Sequence, residues 1–308
     1  MRLDRRSLLI GAALAVSGAG ALAVGAETTV EPLWPEGPPG GGGPGGRLEK
    51  RLNGTVFNVV TPTLTVHLPE RPTGAAMIVA GGGGYRRISL GWEANPAARW
   101  LVARGITACV LTYRLPGEGW AAGARAPLQD VQRALRLLRA GRIVPGVDPE
   151  RVGLFGFSAG GHLMGMAAAR PDFQSYAPVD AADLVPAECA GAVLVYPVIT
   201  LLPPYDRTST RRILVGKTPS LTQAADWSVE THVRRDCAPV FLVGAADDPI
   251  ANPWNLVAME AACRKASVPV ERHLLELGGH GFGMGKPGSR SAGWSVMLDP
   301  WLAARGFV

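Results

Sequence analysis

What most constrains this chain is a series of short apolar runs, each separated from the next by a stretch with apolar residues at helical spacing. The runs are Ala75–Ala80, Ile106–Tyr113, Val152–Phe157, Ala190–Tyr196, Val240–Ala246 and Val270–Leu277. Most of them lack polar alternation, which is what a parallel strand needs when helices cover both faces of its sheet. Between them, Pro96–Arg104, Pro127–Ala140, Ala159–Ala169 and Pro253–Ala266 carry helical periodicity. The alternation predicts an α/β fold: a mostly parallel twisted sheet with crossover helices on both faces. Ahead of it, Thr55–Val60 and Thr63–Leu68 predict a short antiparallel opening.

With 308 residues, 47% hydrophobic and 18% charged, the chain has enough apolar material for a sizeable core. The apolar runs of the body stay well short of the ~18 residues of a membrane span, which excludes a polytopic membrane protein. Of the formal charge of +6, residues 1–26 supply +2 through Arg2, Arg5 and Arg6 against Asp4. The other basic residues are scattered, so the sequence shows no nucleic-acid-binding arm.

Residues 1–26 predict an export signal. Asp4-Arg5-Arg6-Ser7-Leu8-Leu9 precedes an Ala/Leu/Val/Gly stretch and the small-residue sites Ala21-Leu22-Ala23 and Val24-Gly25-Ala26. The paired arginines resemble a twin-arginine signal, an uncleaved anchor being the alternative. Both readings place the body in the periplasm or outside the cell, and removal of the signal leaves no stable membrane insertion. Residues 27–46 predict a linker, because every residue from Gly37 to Gly46 is Gly or Pro. The folded body is then 47–308. Within it, 197–236 predicts an irregular insertion over the carboxyl edge of the sheet, either a small cap lining a cleft or a surface excursion with no role. Cys109 lies in a strand pattern and none of the four cysteines forms C-x-x-C, so no zinc or redox pair is indicated; a Cys237–Cys263 bridge is left open.

The chemistry centres on Gly156-Phe157-Ser158-Ala159-Gly160, between an apolar strand and an apolar helix. A serine nucleophile on a sharp strand-to-helix turn needs small neighbours, and the helix amino terminus favours developing negative charge. A dinucleotide-binding glycine loop would instead follow the first strand of its βαβ unit. Of five histidines, only His280 lies in a glycine loop after a strand end, in Gly278-Gly279-His280-Gly281-Phe282. His162 reads as a packing residue behind the nucleophile. Asp247 and Asp248 follow the strand Val240–Gly244, and either can supply the orienting acid, the other capping the turn. The order Ser, Asp, His is that of the α/β-hydrolase triad. Gly81-Gly82-Gly83-Gly84-Tyr85, after Ala75–Ala80, offers amides for an oxyanion hole.

Those motifs resemble the exported bacterial α/β hydrolases similar to acetyl-xylan esterases and feruloyl-esterase-like enzymes. The likeness runs from about Leu33 to Val308. It includes Leu33-Trp34-Pro35, the glycine loop with Tyr85, Trp92-Glu93, Tyr113-Arg114-Leu115, Leu128-Gln129-Asp130, Gly156 to His162, Asp247-Asp248-Pro249, Gly279 to Gly283 and Trp301-Leu302. It implies Ser158 as nucleophile, His280 as base, Asp248 as acid, and Gly83, Gly84 and Ala159 as oxyanion donors. It further implies a short acyl ester, O-acetyl above all, on plant-type polysaccharide or its oligomers, with neither metal nor organic cofactor. Tyr85 and Trp254 are expected to contact substrate, and Trp92, Trp120 and Trp227 also lie in loop-like sequence. A peptidase or general carboxylesterase of the same fold is the enzymatic alternative; an inactive binding protein is the other.

Overall fold

The computed structural model describes residues 28–308, so the predicted export signal lies outside the described residues. An eight-stranded sheet contains β1 (Thr28–Pro32), β4 (Thr63–His67), β5 (Ala76–Ala80), β7 (Thr107–Thr112), β8 (Val152–Phe157), β9 (Ala192–Val195), β10 (Val240–Ala245) and β11 (Val270–Leu275). Their spatial order is β1-β4-β7-β5-β8-β9-β10-β11. The pairings from β7 across to β11 are parallel, whereas β4 runs antiparallel to both β1 and β7. A small antiparallel sheet joins β2 (Glu49–Lys50), β3 (Thr55–Phe57) and β6 (Ile88–Ser89).

Strand side chains alternate between two apolar layers, as a period of two requires. Met77, Val79, Phe155, Phe157, Phe241 and Val243 pack with α1 (Asn95–Val102) and the closing α7 (Leu298–Ala304). Ile78, Leu154, Leu194 and Leu242 pack on the other face with α2 (Ala126–Arg139), α3 (Ala159–Ala169) and α6 (Trp254–Lys265). Central strands are therefore covered twice, which is why their sequences are apolar throughout. No helix among the described residues is long and apolar enough to cross a membrane.

Three expectations change. Residues 55–60 and 63–68 do not pair with each other: β3 joins the small sheet, and β4 joins the large one. Nor does folding begin at Arg47. β1 pairs along β4 from Thr28 opposite His67 to Pro32 opposite Thr63, and Leu33 and Trp34 are buried. The Trp34 Nε1–H donates to Asp130 Oδ1 at 2.8 Å, and Asp130 is in turn paired with the fully buried Arg114. Even the glycine tract is tied down, the Gly43 amide donating to Gly119 O at 3.0 Å. β1 was invisible because it is a mostly exposed edge strand, Thr-Thr-Val-Glu-Pro, with no apolar run to betray it. Finally, the 197–236 segment contains α4 (Ser209–Val215) and α5 (Leu221–Asp226), both too short to show a period but capped by Thr208 and Ser220.

Candidate active site

Ser158 stands between the end of β8 and the start of α3 with φ 52° and ψ −116°, a strained backbone that holds its side chain clear of both elements. The turn is possible because Gly156 and Gly160 lack side chains. A Cβ on Gly156 would strike the Gly160 backbone, and one on Gly160 the carbonyls of Ala80 and Gly81. Ser158 Oγ lies 2.8 Å from His280 Nε2, and His280 Nδ1 lies 2.8 Å from Asp248 Oδ2. A carboxylate at Nδ1 keeps the ring proton on that nitrogen and leaves Nε2 to accept from the serine hydroxyl.

The two aspartates separate cleanly. The Asp248 side chain is buried, and its Oδ1 accepts from the Ile250 and Ala251 amides at 2.8 and 2.9 Å, which fixes the carboxylate plane. Asp247 points the other way, its Oδ1 accepting from Gly278 and Gly279 at 2.8 Å each. Those two amides hold its carboxyl below the usual range and brace the loop that carries His280.

Gly83 and Gly84 line the same cleft as Ser158 and His280, a space of about 510 Å³. Ala159 is the first residue of α3. Among the described residues, no protein acceptor takes the amides of Gly83, Gly84 or Ala159. Tyr85 is not a cleft residue: its ring is buried, and its hydroxyl donates to His162 Nδ1 at 2.9 Å. The predicted substrate contact there is replaced by a brace under the glycine loop. Burial brings the His162 pKa down to about 4, and its Nε2 donates to Trp227 O at 2.7 Å, so it is a packing residue behind Ser158. Trp254 is half exposed but outside the cleft lining, stacked on Tyr205 with centroids 5.9 Å apart. Trp92, half exposed, does line the cleft, and its Nε1–H donates to Gly281 O at 2.9 Å. Trp120 is buried. From the 197–236 segment, Val198 and residues 208–210 form one wall, and the four cysteines are free.

Glu93 and Tyr196 were given no role by sequence. Glu93 Oε2 accepts from the Gly82 amide at 2.6 Å and Oε1 from the Tyr196 hydroxyl at 2.9 Å. The Tyr196 oxygen accepts from the Gly283 amide at 3.0 Å, and its ring meets the His280 ring edge to face at 5.0 Å. Burial raises the Glu93 pKa, opposed by the Gly82 and Tyr196 hydrogen bonds and by the nearby His280. The signal available was a lone acid inside the apolar stretch Leu90–Ala98; which groups it serves depends on three segments distant in sequence.

Fold, strained serine and the Ser158–His280–Asp248 row define the α/β-hydrolase class. Within it the chain belongs to the BD-FAE family, which it matches over residues 64–261. It is 30% identical over 234 residues to the acetylxylan esterase of Xylanibacter ruminicola, covering 71% of this chain and 43% of that protein. It is 29% identical over 206 residues to endo-1,4-beta-xylanase B of Butyrivibrio fibrisolvens, covering 67% of this chain and 32% of that protein. The chain thus spans less than half the length of these two relatives. Among solved structures, an acetyl ester-xyloside bifunctional hydrolase from Caldicellulosiruptor lactoaceticus superposes with TM-score 0.75 at 28% identity, over 94% of this chain and 100% of that one. A thermophilic esterase from the Planctomycetes species Thermogutta terrifontis has the same fold, with TM-score 0.67 at 23% identity over 86% of this chain and 96% of that one.

Proposed function

We propose that the protein is a serine esterase that removes short acyl groups, O-acetyl in particular, from plant-type polysaccharide or its oligomers. The observation that carries this reading is the unbroken row from Ser158 through His280 to Asp248, with both contacts at 2.8 Å. His280 takes the Ser158 proton as Oγ attacks the ester carbonyl, and Asp248 stabilises the imidazolium that forms. The amides of Gly83, Gly84 and Ala159 face the developing oxyanion, where one preorganised donor contributes about 3 kcal/mol. His280 then returns the proton to the leaving sugar oxygen, and water releases the acyl group by the same steps in reverse. The chemistry needs no metal or organic cofactor. The acyl and sugar assignments are supported by the relatives' acetylxylan and xyloside activities, and the export-like residues 1–26 support action in the periplasm or outside the cell.

A fluorophosphonate probe should label Ser158 in the folded protein, and absence of labelling defeats the serine mechanism. Acetate release from acetylated xylan, set against 4-nitrophenyl acetate hydrolysis, tests the substrate. Turnover of the small ester alone would leave a general carboxylesterase.

A further inference from the structure

Three arginine residues line the cleft above Ser158. Arg51 comes from the loop after β2, its guanidinium 5.3 Å over the Phe57 ring, and Arg86 and Arg87 from the end of the glycine loop; all three residues are exposed and line the same space as Ser158 and His280. Among the described residues, none of the three has a carboxylate within ion-pair distance. The one carboxylate on the cleft wall is Glu93, which is buried and already engaged by Gly82 and Tyr196. Three like charges around one cavity set up a positive field, screened only in part by water and counterions, that favours an incoming anion. The guanidinium fork is also the side chain best matched to a planar carboxylate.

Resting on the esterase reading above, we infer that the preferred substrate is an ester whose sugar part carries a carboxylate: an acylated, uronosyl-bearing oligosaccharide. The charge belongs on the sugar side because an acetyl group has nowhere to carry one. The rest of the wall suits such a ligand. Asn53, Thr208 and Ser209 offer hydrogen bonds to hydroxyls, and the half-exposed Trp92 offers a ring face.

The test compares kcat/KM on an acetylated glucuronoxylan oligosaccharide with the same oligosaccharide after its carboxyl groups are reduced to alcohols. Taking the ratio within one protein sample cancels any loss of folded enzyme. At low salt the native chain should favour the acid form by about threefold, the yield of one exposed charge-assisted pair. The ratio should fall toward one in 1 M NaCl, where screening acts within ~3 Å, and toward one in R51Q/R86Q/R87Q at low salt. A ratio of one or less in the native chain, with 4-nitrophenyl acetate still hydrolysed, overturns the charge assignment and leaves the esterase reading standing. A preference that persists both in high salt and in the triple variant also overturns it. No turnover of any of the three esters overturns the esterase reading and this one together.

Discussion

The Tyr196 hydroxyl donates to Glu93 at 2.9 Å while its oxygen receives the Gly283 amide. Since Glu93 also receives Gly82, this pair joins the glycine loop to the segment three residues beyond His280. Removing one partner of a buried hydrogen bond costs about 1–3 kcal/mol. We expect Glu93→Gln and Tyr196→Phe each to lower kcat on 4-nitrophenyl acetate by ~10-fold, KM moving much less. Both act through the same link, so the double variant should be no slower than the slower single one. Multiplying effects would show that the two residues work independently.

The aspartates predict a contrast. Asp248→Asn leaves the loop in place but no longer holds the Nδ1 proton, and kcat should drop by ~10⁴. Asp247→Asn weakens only the brace on Gly278 and Gly279, and its loss should stay within about tenfold. Equal losses in steady-state assays would reverse the assignment.

Gly84 sits at φ +63°, and a Cβ there would meet the Ser209 side chain. Gly84→Ala should therefore tilt the amide proposed to hold the oxyanion and cut kcat by ~10²-fold. Adding Ser209→Gly removes the steric component and should restore part of the rate. If the second substitution restores nothing, backbone strain at position 84 is the whole cause.

His162 gives a pH prediction with a defined sign. Its folded pKa is about 4, against ~6.5 for a free histidine, so between those values the unfolded chain binds more protons. Its neutral-state contribution is complete above pH 6.5 and declines as pH falls toward 4. Denaturant unfolding at pH 7.5 and 4.5 should show native protein losing about 2 kcal/mol more than His162→Gln. An equal loss in both would mean that His162 accepts a proton while folded.

Much of the parallel sheet was legible because β5, β8, β9 and β10 are buried on both faces and so must be written in apolar residues. The positions of Ser158 and His280 were legible for a related reason: each needs glycine beside it, and glycine leaves a mark in sequence. What escaped reading was polar and cooperative. Tyr85 looked like a substrate contact because it ends the glycine loop, yet its partner is a histidine 77 positions away. Asp247 and Asp248 are chemically identical neighbours, and only the facing amides tell them apart. Edge strand β1, lacking a buried face, had no pattern to offer.

The pairing of β1 with β4 decides where this protein tolerates trimming. A version starting at residue 47, which composition alone would recommend, leaves a β4 rim of unmatched amides and carbonyls facing solvent and strips Trp34 from Asp130. Such a rim invites a neighbouring copy to dock as the missing strand. Shortened material should accordingly precipitate or run as multimers on gel filtration, while a start at Thr28 keeps β4 paired along its length.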